Sequence, residues 1–92
     1  MKLYKYQKFL ESVEDIHSIC KKHGIKYYTV NEDGSIDVEG IVYLSDQNLT
    51  KFPLKFNHVS DDFYCSYNKL ITLEGSPKTV SGDFYCGNNQ LI

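Results

Sequence analysis

Three cysteines, three histidines and a set of regularly spaced tyrosines and aspartates are the side chains of this 92-residue chain with the means to do chemistry. Cys20, Cys65 and Cys86 are odd in number and contain no C-x-x-C. The start, MKLYKYQKFLESVED, lacks the uninterrupted apolar stretch of a secretory leader. A disulfide framework therefore has no support, and neither a zinc knuckle nor a redox motif can be written. These thiols read first as small buried hydrophobes. His17, His23 and His58 have no Cys or His at ligand spacing. Asp61, Asp62 and Asp83 are conceivable ligands for a Ca²⁺ ion but lack the ligand-dense loop such sites use. No Ser/His/Asp or Cys/His nucleophile pattern and no Gly-rich phosphate loop is visible. The sequence predicts no catalytic residue, no metal, no cofactor and no enzyme activity.

What remains is recognition chemistry. Eight Tyr and five Phe with no Trp is an aromatic-heavy mix, and the tyrosines fall in register. Tyr43, Tyr64 and Tyr85 are spaced by 21 residues, as are Ile41/Asp62/Asp83, Ser45/Ser66/Gly87 and Asp46/Tyr67/Asn88. Tyrosine offers a large amphipathic contact at little rotamer cost and is enriched at binding hot spots. It is also a good strand former that stacks on its own copies. Asp62 and Asp83 on adjacent rungs repel unless a cation lies between or opposite them. The predicted partner-binding residues are Tyr43, Asp62, Tyr64, Tyr67, Asp83 and Tyr85, a stripe suited to a protein partner with a basic surface.

The elements that must position these residues follow from the same shift. DFYC occurs at 62–65 and again at 83–86. The columns Val38/Val59/Val80, Val42/Phe63/Phe84, Leu44/Cys65/Cys86, Gln47/Asn68/Asn89, Leu49/Leu70/Leu91 and Phe52/Leu73 carry the repeat over residues 36–92. Alternation puts Phe63 and Cys65 on one face of a short strand and Asp62, Tyr64 and Ser66 on the other. The Asn that follows is expected to turn inward and hydrogen-bond the backbone of the bend, with Leu70 and Leu73 closing the core beneath.

Each unit reads apolar-x-apolar-x-x-Asn-x-Leu, as in Phe63-x-Cys65-x-x-Asn68-x-Leu70. This resembles the leucine-rich repeat. With its GDFYC, NNQL and LEGSPK segments, the unit is similar to short tandem repeats of phage, large-virus and bacterial reading frames. The resemblance implies an α/β fold: a short leucine-rich-repeat solenoid, a parallel strand ladder of about 2.5 repeats, binding through its concave face. Gln47 in place of Asn departs from the motif and marks an edge or capping unit. So does the early Val of each unit, which leaves the bend before the strand undefined.

Residues 1–37 do not match the repeat. Ser12-x-x-Asp15 is a capping-box-like start, Val13, Ile16, Ile19 and Cys20 form an apolar stripe, and Gly24 is a fitting stop. Leu3 to Leu10 either extends this helix or forms a separate turn. Residues 25–30 and 35–38 flank Asn31-Glu-Asp-Gly34, a hairpin signature. One domain is predicted over 1–92, with a helix-plus-hairpin cap at 1–37 and repeats at 38–92. At the other end, residues 83–92 are expected to leave a strand edge and the apolar atoms of Phe84, Cys86 and Leu91 partly uncovered.

Charge sorts the partners. Residues 1–30 hold six lysines against three acids, a net +3; residues 31–92 hold four lysines against nine acids, a net −5, and there is no Arg. An acidic repeat region disfavours nucleic acid, including single strands stacked on the Tyr ladder. No apolar run approaches the ~20 residues that span a bilayer. The expectation is a cytoplasmic protein–protein interaction module, in the host cytoplasm if viral, that blocks a host defence protein. The alternative is a structural protein that self-assembles into a homo-oligomer through residues 83–92.

Overall fold

The computed structural model describes residues 13–92, so Ser12 of the capping signature and the Leu3–Leu10 segment lie outside the described residues. The chain is an α/β protein. A helix, α1 (13–22), is followed by seven short strands: β1 (Tyr28–Val30), β2 (Ile36–Val38), β3 (Val42–Tyr43), β4 (Phe56–Val59), β5 (Phe63–Tyr64), β6 (Thr79–Val80) and β7 (Phe84–Tyr85).

The helix ends where the sequence predicts. Gly24, at φ 72°, takes the left-handed conformation that a β-carbon disfavours. Its N–H donates to the Lys21 carbonyl at 3.2 Å, and the Ile25 N–H reaches back to the Cys20 carbonyl at 2.9 Å. That pair of bonds is a Schellman stop, and buried Ile25 and Cys20 supply its apolar contact. The hairpin also forms, with β1 antiparallel to β2 and Tyr28, Thr29 and Val30 opposite Val38, Asp37 and Ile36. Its turn is closed by the Asn31 N–H on the Ser35 carbonyl at 2.8 Å, and by the Asp33 carboxylate, which accepts both the Ser35 N–H and hydroxyl.

Beyond the hairpin the chain builds two parallel ladders. The first continues from the hairpin in the order β1-β2-β4-β6, and the second is β3-β5-β7. Val38, Val59 and Val80 are partners in the first, while Phe63 faces Val42 and Phe84, and Tyr64 faces Tyr43 and Tyr85, in the second. The 21-residue shift of the sequence is thus the register of both ladders, except where Ile36 pairs with Phe56, twenty residues on, across an irregularity before Asp37. The reading of one strand per unit missed the first ladder. The early Val belongs to its own strand, and three residues (60–62) turn the chain from β4 into β5.

Between the ladders lies an apolar core of Ile36, Val38, Val42, Leu44, Phe56, Val59, Phe63, Cys65 and Leu70. Phe52, Phe56 and Phe63 meet edge-to-face at centroid distances of 5.1–6.4 Å, and Phe84 stacks flat on Phe63 at 5.3 Å. Burial falls away along the stack. Leu44 and Cys65 are fully buried but Cys86 only partly, and Leu70 is buried whereas Leu91 is exposed. Leu73, expected to close the core, is 37% exposed, against 7% for Phe52 one unit earlier. A side chain in this stack is covered by the unit that follows it, and Leu73 has no such neighbour among the described residues.

Candidate functional site

The predicted binding residues sit on and beside the outward face of β3-β5-β7. Tyr43, Tyr64 and Tyr85 form one continuous column. Tyr64 and Tyr85 stack nearly parallel (5°) at 4.8 Å, and Tyr43 tilts against Tyr64 at 5.7 Å. Tyr43 is 59% exposed and Tyr85 42%, with Tyr64 half-buried between them. The flanking column begins with the exposed Ile41 and continues into Asp62 and Asp83.

The two carboxylates do not simply repel. Asp62 Oδ1 accepts the Asp83 backbone N–H at 2.7 Å, and Asp62 Oδ2 accepts the Tyr64 hydroxyl at 3.0 Å. Asp83 Oδ2 accepts the Tyr85 hydroxyl at 3.0 Å in the same way. The β5 and β7 rungs each carry an Asp–Tyr pair two residues apart on one side of the strand, and the repeat copies the pair between them. Gly82 permits the clasp: a β-carbon there would lie 2.2 Å from Asp62 Oδ1 and 2.8 Å from the Asp61 backbone. Donation to a carboxylate favours the neutral phenol, so the Tyr64 and Tyr85 pKa values are raised, first by the hydrogen bonds to Asp62 and Asp83. The Tyr64 and Tyr85 phenol protons are committed, and these two rungs offer carboxylate oxygens and ring surface. The ion pair present among the described residues, Lys55 to Asp33 at 3.3 Å, lies elsewhere.

Tyr67 stands apart from the column. It is 64% exposed at φ 58°, the left-handed region, and so are its counterparts Asp46 (59°) and Asn88 (55°). Asp and Asn tolerate that conformation; a bulky aromatic does so at a cost. The recurrence of Asp and Asn at this position was the available signal. Ser45, assigned outward with Ser66 and Gly87, is buried instead.

The inward Asn positions bind as the repeat predicts. Asn68 Oδ1 accepts the Gln47 and Leu49 N–H groups at 2.9 and 3.1 Å, and Nδ2 donates to the Leu44 and Cys65 carbonyls at 2.8 and 3.0 Å. Asn89 repeats this one rung on, with the Leu70 N–H and the Cys65 and Cys86 carbonyls.

Three other arrangements escaped the sequence reading. On the first ladder Asp37, His58 and Thr79 are strand partners, and His58 Nδ1 lies 2.6 Å from Thr79 Oγ1. The order resembles an acid–base–hydroxyl set, but the Asp37 carboxylate accepts the Asn57 amide at 2.8 Å, and no bond from it to His58 is found among the described residues. Asp37, His58 and Thr79 follow the 21-residue shift, but they lie on the early strand of each unit, which the sequence reading did not recognise as a strand. Near the helix, Tyr28 joins His17 to the buried Cys20, whose thiol pKa is raised by burial. Burial likewise pushes the Cys65 thiol up to about 12, which keeps it a protonated core group. Finally, a groove of about 810 Å³ is floored by Phe52, Leu54 and Phe56 and edged by Lys51, Lys55 and Lys78.

Cys20, Cys65 and Cys86 are free thiols. Among the described residues no three His, Cys, Asp or Glu side chains gather as a metal site, and no helix is long and apolar enough to cross a membrane. No family model, curated protein or solved structure matches this chain.

Proposed function

We propose that this chain is a non-enzymatic protein–protein interaction module. In this reading it is a short leucine-rich-repeat solenoid of about 2.5 units with a helix-and-hairpin cap. It occupies the basic surface of a partner with Tyr43, Asp62, Tyr64, Tyr67, Asp83 and Tyr85. The observation that carries the reading is the continuous Tyr43–Tyr64–Tyr85 column beside two carboxylates whose hydrogen bonds come from the chain itself. A face fixed in this way loses little side-chain freedom on binding. The phage-like repeat sequence extends the proposal to a small virus-encoded protein that binds and inhibits a host defence protein in the cytoplasm.

The test is affinity capture from bacterial lysate with the wild type and the Tyr43/Tyr64/Tyr85→Ala variant, both shown folded by circular dichroism. A stoichiometric protein held by the wild type and lost by the variant is the expected result. Retention by both moves the interface off this face.

A second reading has its own support. Phe84, Cys86 and Leu91 are left half-covered or exposed on the outer rung, where β6 and β7 end their sheets. Such an edge invites pairing with another copy. Light-scattering mass across a concentration series separates the two: a constant monomer mass excludes self-assembly, and a rising mass supports it.

A further inference from the structure

The outer rung is built like the rung beneath it, and the groups it leaves unpaired describe what completes it. We infer that the open edge of β7 takes a further strand from another polypeptide, parallel to β7 and in the register of the repeat. That strand carries Gly just before the residue that meets Asp83, an aromatic over Phe84, and Asn five residues after the aromatic. The inference goes beyond the outward tyrosine face and names the occupant of the edge on which the self-assembly reading also rests.

The backbone sets the register. Val42, Leu44 and Asp46 donate their N–H groups to the Asp62, Tyr64 and Ser66 carbonyls. One rung on, Phe63, Cys65 and Tyr67 donate in the same way to Asp83, Tyr85 and Gly87, at 2.8, 2.8 and 3.0 Å. By that pattern Phe84, Cys86 and Asn88 turn their N–H groups away from β5, and no described residue accepts them. A buried edge requires such donors to be paired.

Two side-chain clasps set the direction, one at the start of the strand and one after its end. Asp62 Oδ1 accepts the Asp83 N–H, while Asp83 uses Oδ2 for the Tyr85 hydroxyl and its Oδ1 has no partner among the described residues. Beyond the strand, the Leu49 N–H goes to Asn68 Oδ1 and the Leu70 N–H to Asn89 Oδ1. Leu91, next in that column, meets no such Asn among the described residues.

The glycine follows from the first clasp. A β-carbon on Gly82 would overlap Asp62 Oδ1 and lie 2.8 Å from the Asp61 backbone. One rung earlier the same position is Asp61, above Ile41, which has no carboxylate to reach across. Asp83 repeats the Asp62 side chain, so the strand laid on it needs glycine there. The aromatic follows from the rings. Phe84 lies flat on Phe63 (8°) and Tyr85 flat on Tyr64 (5°), and each leaves its outer face half-covered or exposed.

A second copy does not supply this strand. Its β7 presents the same edge groups rather than the complementary ones. Its β3 has the complementary edge, but β1 lies beside β2 in the place that β6 would have to take.

The probes are three labelled synthetic peptides under thiol reductant: residues 76–92 of this sequence, the same peptide with Gly82→Ala, and the same residues in reverse order. Fluorescence anisotropy gives affinity, and amide hydrogen exchange of the full chain gives the place of binding. The first peptide is expected to bind at least about tenfold tighter than the other two and to protect the Phe84 and Cys86 amides. Asp83→Ala in the full chain, its folding checked by thermal melting, is expected to weaken that peptide by about tenfold. Equal affinities, no binding, or binding that leaves these amides unprotected overturns the strand, and an unchanged affinity in Asp83→Ala overturns its register. A light-scattering mass that rises with concentration while no peptide binds keeps self-assembly and discards this occupant. Lysate capture lost in the tyrosine variant keeps the module reading whatever the peptides do.

Discussion

Asn68 closes four backbone groups of two neighbouring units with one side-chain amide, and it is buried while doing so. Replacing it with Ala strands the Gln47 and Leu49 N–H groups and the Leu44 and Cys65 carbonyls, a loss of about 2–3 kcal/mol. Asn89→Ala is expected to cost about 1 kcal/mol, since water reaches that half-exposed rung. Thermal melts of the two variants compare them directly, with Asn68→Ala melting roughly 8–15 °C lower than wild type. The inward Asn was legible because its side chain is one of the few that both donates and accepts at a bend. The strain at Tyr67 was not legible from its own identity, since aromatic residues give no warning of a left-handed backbone. Tyr67→Asn copies Asn88 and is expected to raise stability by about 1 kcal/mol. Under the proposed function the same change weakens partner binding, so stability and affinity move in opposite directions. The tyrosine hydroxyls make a further test. The Tyr64 and Tyr85 pKa values are raised above the ordinary 10.0 in the folded chain. Their contribution to stability is therefore complete below pH 10 and is lost as pH climbs through the raised values. Ultraviolet titration is expected to show Tyr64 and Tyr85 ionising late together with Tyr28, which burial raises, and Asp62→Asn is expected to return Tyr64 toward the ordinary value.

At the scale of elements, strands of two to four residues are too short to be held by their own ladders, and the phenylalanines between them supply the difference. Phe63 touches Phe52, Phe56 and Phe84 and is fully buried, so Phe63→Ala is expected to destabilise by about 3–5 kcal/mol. Phe84, packed from one side and half-buried, is expected to cost about 1–2 kcal/mol on the same change. Urea titration of the two variants checks this. Equal losses would contradict the gradient of burial along the stack. The helix stop, the hairpin and the β3-β5-β7 register were all readable, because each depends on local residue types or on the repeat spacing itself. The first ladder was not. Its strands lie where Val38, Val59 and Val80 sit one position early for the familiar repeat. A four-residue segment such as Phe56–Val59, buried at both ends and half-buried between, carries no alternation to identify it.

For the whole molecule, the two ladders and the cap form one structure. β2 is both the second arm of the hairpin and a rung of the first ladder, so the helix-and-hairpin segment is continuous with the repeats. Whether the column serves recognition or only its own stacking is the central question, and duplication alone would copy Tyr into every unit. Stacking without recognition predicts that removing the rings changes stability; recognition predicts that it changes affinity. The most direct measurement pairs the two on the same samples: partner affinity and melting temperature for wild type and Tyr43/Tyr64/Tyr85→Ala. The expected result is at least about a 100-fold loss of affinity with melting lowered by only a few degrees. Unchanged affinity in a folded variant would contradict the assignment of this face.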